Sequence, residues 1–136
     1  MRALVLDNEA VQALRDERHP KHRQVLAHLA GVAGRRKRGR DVAVVVPTCV
    51  RVEAGWDRTR PAASAINRLR VADHTLDAEA ANVAATIADE LTVSVTDAHV
   101  GAAVRSMPHD EVVVLTSDPG DITRVAGDRP VLPVRV

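Results

Sequence analysis

The chain has 136 residues, 46% of them apolar, with 19 Lys and Arg against 18 Asp and Glu. This length describes one domain, residues 1–136, which buries its core without disulfides; the single Cys49 excludes an internal bridge and a cysteine-based zinc site. Trp56 is the one aromatic residue, which excludes a platform that grips single-stranded nucleic acid by stacking several bases.

In chain order, residues 3–6 (Ala-Leu-Val-Leu) form a first buried strand that ends on Asp7. Residues 8–15 place Ala10, Val11, Ala13 and Leu14 at helical spacing. Pro20 suits the first turn of a second helix, whose apolar stripe is Val25, Leu26, Leu29, Val32 and Ala33. That helix ends in Gly34-Arg35-Arg36-Lys37-Arg38-Gly39-Arg40, where cations complement the helix dipole and Gly39 provides a stop. Residues 42–46 form a second buried strand closed by Pro47, and Thr48 is expected to cap a helix carrying Arg51, Glu53 and Arg58. Pro61 opens a short helix through Leu69, and residues 71–76 alternate weakly, as an edge strand does.

Residues 77–91 are Ala-rich and helical, and Thr96 is expected to cap a helix over 97–107. Residues 112–115 are a continuous β-branched-rich run, a strand buried on both faces, which leads into Thr116-Ser117-Asp118-Pro119-Gly120-Asp121. A helical turn over 119–126 and an edge strand over 131–134, with Pro133 inside it, complete the pattern. Strands alternating with helices predict an α/β fold: a three-layer α/β/α sandwich around a mostly parallel sheet of about five strands. Right-handed crossovers then set every strand's C-terminal end on one edge, where ligands bind. No apolar run approaches membrane-spanning length and the first is too short for a signal peptide, so a cytoplasmic protein with no membrane partner is expected.

Four carboxylates converge on that edge through topology alone. Asp7 and Asp118 follow strands, Asp97 begins a helix that returns antiparallel to the strands, and Glu53 lies roughly 8 Å along a helix that starts there. Packed like charges raise one another's pKa unless a cation neutralises them, and oxygen ligands without nearby His or Cys favour Mg²⁺ or Mn²⁺ over zinc. Asp121, three residues after Asp118, faces the same side as a further ligand, and Thr116 is placed to donate a hydrogen bond to a ligand carboxylate. Each Asp taken alone also reads as a helix cap or turn residue.

Charge is segregated: residues 15–70 hold 14 Lys and Arg against five Asp and Glu, and residues 71–136 hold four against 11. This predicts a basic approach surface beside an acidic site. Arg35 to Arg40 is the densest run, while Arg15, Arg18 and Arg51 come from segments nearer the acidic edge.

At these residues the chain resembles the PIN-domain ribonucleases, and at this size the VapC-type toxins of toxin–antitoxin pairs. The resemblance is carried by Leu4-Val5-Leu6-Asp7, Glu53 after the second strand, Asp97-Ala98-His99-Val100-Gly101-Ala102-Ala103, and Thr116-Ser117-Asp118-Pro119-Gly120-Asp121. It covers nearly the whole chain and implies a PIN-like fold and a Mg²⁺- or Mn²⁺-dependent endoribonuclease. By that resemblance Asp7, Glu53, Asp97 and Asp118 are the acidic quartet, Asp121 is accessory and Thr116 is a structural hydroxyl. A homodimer, an RNA substrate and a small antitoxin, whose C-terminal segment enters the active-site groove, are implied with it. Glu9 departs from the pattern, which commonly has a small hydroxyl residue two positions after the first Asp.

Two other folds with acidic strand ends fit less well. A phosphoacceptor receiver needs a Lys after its last core strand, and Lys21 and Lys37 are the only lysines. A nucleotide-binding module needs a Gly-rich loop where Asp7-Asn8-Glu9 stands. The remaining competitor is a catalytically silent PIN fold that binds RNA or protein.

Overall fold

The computed structural model describes residues 2–136. Five strands, β1 (Arg2–Leu6), β2 (Val42–Pro47), β3 (Ala72–His74), β4 (Glu111–Thr116) and β5 (Leu132–Arg135), form one sheet in the order β3-β2-β1-β4-β5. Every pairing is parallel. β1 lies between β2 and β4 in a register that sets Leu6 beside Leu115, so Asp7 emerges next to Thr116. The sheet is the five-stranded parallel core expected of a PIN-like α/β/α sandwich.

Helices α1 (Asn8–Arg15), α2 (His22–Lys37), α3 (Thr48–Ala54) and α4 (Ser64–Asn67) form one layer, and α5 (Ala78–Leu91), α6 (Val95–Ser106) and α7 (Pro119–Ala126) form the other. Chain order explains the division. β1, β2 and β3 step toward one edge, β4 and β5 lie on the other side of β1, and right-handed crossovers place the two sets of helices on opposite faces. With Trp56 the one aromatic, the core is aliphatic: Val5, Leu6, Val44, Val46, Val114 and Leu115 are all buried from the sheet. A second cluster, Ala84, Ile87, Ala98, Ala102 and Val125, joins α5, α6 and α7. Gly101 lets those helices approach, because a Cβ there would stand 2.7 Å from the Val125 carbonyl oxygen.

Several local expectations shift. α2 starts at His22, after Pro20, and of its expected stripe Leu26 and Ala33 lie on the exposed side. Pro47, not Thr48, is the N-cap of α3, and the Thr48 hydroxyl turns away to accept from the Leu76 amide at 3.2 Å. α3 ends at Ala54 against the left-handed Gly55, so Arg58 lies beyond it. α6 is capped by Ser94, two residues before Thr96, with its hydroxyl accepting from the Asp97 amide at 3.1 Å. Among the described residues no helix is long and apolar enough to cross a membrane.

Candidate active site

The neighbouring C-terminal ends of β1 and β4 build the centre of the site. The Asp7 amide donates to the Leu115 carbonyl at 3.1 Å, continuing the sheet by one residue. Its carboxylate caps α1, one oxygen accepting from the Asn8 amide at 2.8 Å and the other from the Thr116 hydroxyl at 2.8 Å. The Thr116 side chain is fully buried, and its oxygen also accepts from the Asp118 amide at 3.0 Å. One hydroxyl therefore joins two carboxylate-bearing turns. Asp118 caps α7, accepting from the Asp121 amide at 3.2 Å.

The other two carboxylates arrive on helices, Glu53 exposed on α3 and Asp97 half-buried in the first turn of α6. Burial raises the Asp97 carboxyl above its usual range; Ser94 opposes, and the charges of Asp121, Glu53 and Asp118 push it further up. Asp7 is raised too, first by burial; the bonds from Asn8 and Thr116 resist, and Asp97 and Glu53 add to the rise. All five acidic side chains named from the sequence thus share one electrostatic neighbourhood.

A hard divalent cation fits the chemistry of this donor set, which is all carboxylate oxygen and repels itself when empty of positive charge. The side chains are not closed around one point: among the described residues no three His, Cys, Asp or Glu groups stand ready to hold a metal ion. Glu9 is engaged by the turn that follows α1, its Oε1 lying 3.2 Å from His19 Nε2 and 3.4 Å from Lys21 Nζ.

The basic residues divide sharply. Arg51 is held in packing, 2.9 Å from Asp73 and 5.4 Å from the centre of the buried Trp56 ring, with Arg58 against the same ring at 4.2 Å. Arg15 donates to the Ala54 carbonyl at the end of α3, and Arg18 is exposed in the turn before α2. The run Arg35–Arg40 does not adjoin the carboxylates. Arg36 donates to the carbonyl of Val42, the first residue of β2, so the run lies at the strands' N-terminal edge. Cations at the acidic edge are Lys21, Arg124 (3.5 Å from Asp121) and Arg135, which donates to the Ser117 carbonyl at 2.9 Å. Arg124 pairs with Asp121 three residues away on α7, a spacing the sequence already contains, whereas Arg135 meets Ser117 only when β5 pairs with β4.

His99 has surroundings that the sequence gives no sign of. It is fully buried, its Nδ1 accepts from the Cys49 amide at 3.3 Å, and its Nε2 meets His74 Nδ1 at 3.1 Å. Burial, then His74, pushes its pKa down to about 4, against an opposing effect of Asp77.

A groove of about 460 Å³ lies away from the carboxylates, between α2 and the residues that follow α4; it is lined by Leu26, Leu29 and Leu69 and by the cations Arg36, Lys37, Arg68 and Arg70.

No protein-family model matches the chain, and no curated protein does. Two solved structures share its fold over nearly the full length. One is VapBC2 from Rickettsia felis bound to a DNA fragment from their promoter, with a TM-score of 0.56 at 11% identity, covering 98% of both chains. The other is FitAcB from Neisseria gonorrhoeae, with a TM-score of 0.58 at 16% identity, covering 95% of this chain and 96% of that one. At these identities the likeness is one of fold.

Proposed function

We propose that the chain is a Mg²⁺- or Mn²⁺-dependent endoribonuclease and the toxin of a toxin–antitoxin pair. One observation carries the reading: carboxylates from four separate segments meet at one sheet edge, where burial and mutual repulsion raise Asp7 and Asp97. A fold specified only for stability gains nothing from such an arrangement, since uncompensated like charges oppose folding.

In this reading Asp7, Asp97 and Asp118, with Asp121 beside them, would hold the cation, whose chemistry would be to lower the pKa of a water and offset charge on the phosphodiester transition state. Thr116 keeps the Asp7 and Asp118 turns in fixed relation through its two hydrogen bonds. Glu53, exposed on α3, would accept a proton from the attacking water. Lys21, Arg124 and Arg135, with the exposed Arg18, attract the RNA backbone, while Arg15 and Arg51 brace α3 and the Trp56 packing.

Purified chain incubated with RNA and Mg²⁺ is expected to cleave it, and Asp7→Asn or Asp97→Asn to lower the rate by about a hundredfold or more. Full activity in either variant, or in EDTA, contradicts the metal mechanism.

The partner we assign is a small antitoxin. Its C-terminal segment would enter the acidic edge, and the groove between α2 and residues 68–70 would take another part of it, with Leu26, Leu29 and Leu69 for its hydrophobic side chains and four cations for its carboxylates. Reversing two of these charges, Arg68→Glu with Arg70→Glu, should weaken co-purification with that partner while leaving cleavage unchanged; undiminished co-purification contradicts the placement. A homodimer is carried with this reading on resemblance. The competing reading, a silent binding module, is favoured by the open spacing of the carboxylates; an RNA complex that forms without cleavage in the presence of metal would select it.

A further inference from the structure

The helix that carries Glu53 begins without a cap of its own. The first N–H groups of any α-helix lack intrahelical acceptors, and a Ser, Thr, Asp or Asn at the N-cap ordinarily supplies one. α3 has Pro47 at that position, which offers no side-chain acceptor, and the Thr48 hydroxyl is turned toward Leu76. The amide of Cys49, in the first turn of α3, donates instead to Nδ1 of His99, on the opposite helical layer.

The network around His99 fixes which nitrogen is bare. Nδ1 accepts an N–H, so the ring proton sits on Nε2 and is donated to His74 Nδ1, 3.1 Å away. His74 then carries its proton on Nε2, facing the Ser106 oxygen at 3.1 Å, and the Ser106 hydroxyl donates to the Ala103 carbonyl at 2.9 Å. Each donor in this chain meets an acceptor, as a buried polar group requires. A fully buried imidazole, in a stretch of α6 otherwise filled by Ala98, Val100, Gly101, Ala102 and Ala103, is thereby held in one orientation.

We propose that His99 is a positioning residue of the nuclease site, capping α3 in trans and so fixing the helix that carries Glu53 against the helix that carries Asp97. His99 lies two residues after Asp97 on α6, and Cys49 lies four residues before Glu53, one helical turn along α3. A single hydrogen bond near the active edge therefore sets the spacing of two carboxylates delivered by opposite layers of the sandwich. His74, at the C-terminal end of β3, anchors the imidazole to the sheet. The inference rests on the nuclease reading for its catalytic consequence and on the hydrogen-bond network for its structural part.

Substitutions separate the two nitrogens. His99→Asn keeps an acceptor at the position of Nδ1, His99→Gln reaches toward Nε2 instead, and His99→Leu removes both. Hydrogen exchange of the Cys49 amide, followed by NMR on the full chain, reads the cap directly. Exchange should be about tenfold faster in His99→Leu and His99→Gln and near the wild-type rate in His99→Asn. RNA cleavage should fall about tenfold in kcat for the Gln variant with KM little changed, and His99→Asn should recover most of it. Mn²⁺ affinity, measured with the metal alone, should fall and recover in the same order.

Unchanged Cys49 exchange in His99→Gln overturns the cap. Faster exchange with wild-type kcat and Mn²⁺ affinity overturns the positioning role, as does an Asn variant no better than Gln. If His99→Leu does not fold, the Asn and Gln pair still decides. A wild-type chain that cleaves no RNA defeats the nuclease reading alone, and Cys49 exchange together with Mn²⁺ affinity then judges whether His99 organises the carboxylates.

Discussion

Asp97 is the residue on which Asp121, Glu53 and Asp118 all press, and burial adds to their effect. Its folded pKa lies above the ordinary 3.8, so the folded state binds that proton more tightly than the unfolded chain. The stability this confers is present at low pH and is lost as pH rises through the raised folded value. In EDTA at pH 7, Asp97→Asn should therefore melt a few degrees above wild type, the scale of a charge partly screened by solvent, with the difference shrinking on acidification. Thermal melts at pH 7 and pH 4 check this; a variant less stable than wild type at pH 7 would show that the carboxylate is not repelled. Asp7, Asp97, Asp118 and Asp121 were legible because each stands at a strand end or in the first turn of a helix, positions that hydrophobic periodicity locates; Glu53 stands in the last turn of the short α3. His99 was not: its partners, Cys49 and His74, lie 50 and 25 residues away and meet it only where two layers close on the sheet.

The elements follow from local chemistry where one signal acts alone. α1 spans Asn8–Arg15 as its apolar spacing requires, and α7 opens at Pro119 behind the Asp118 cap. Where two acceptors compete, the nearer hydroxyl need not win. Ser94 begins α6 in place of Thr96, and Thr48 loses its capping role because the strand geometry of Pro47 places the helix start one residue earlier. Packing between elements is a separate constraint, and Gly101 shows it. Beyond the carbonyl oxygen, a Cβ there would lie 2.9 Å from Val125 Cβ and 3.0 Å from Ile87 Cδ1, so α6 must move to admit one. Gly101→Ala should destabilise the fold by about 1–3 kcal/mol despite its better helix propensity, measurable by urea unfolding. A neutral or stabilising result would mean that α5 and α7 are less closely seated on α6.

Across the whole molecule, the division of charge was legible but its direction was not. The acidic second half of the sequence delivers Asp97, Asp118 and Asp121 to the C-terminal edge of the sheet. The dense basic run ends α2 at the opposite edge, because α2 must return the chain to the start of β2. In the nuclease reading, RNA drawn to the acidic edge meets a sparse set of cations, while Arg36, Lys37, Arg68 and Arg70 line a groove on another part of the surface. Under the proposed function, the cutting edge and the antitoxin-binding groove are separate parts of one sandwich. The most direct test of the central claim is mapping of RNA 5′ ends generated from total RNA by wild-type chain and by Asp118→Asn, each with Mg²⁺ and with EDTA. Discrete new ends with wild type and Mg²⁺, absent from the other three reactions, are the predicted result. The same ends with Asp118→Asn or in EDTA, or no new ends in any reaction, would contradict it.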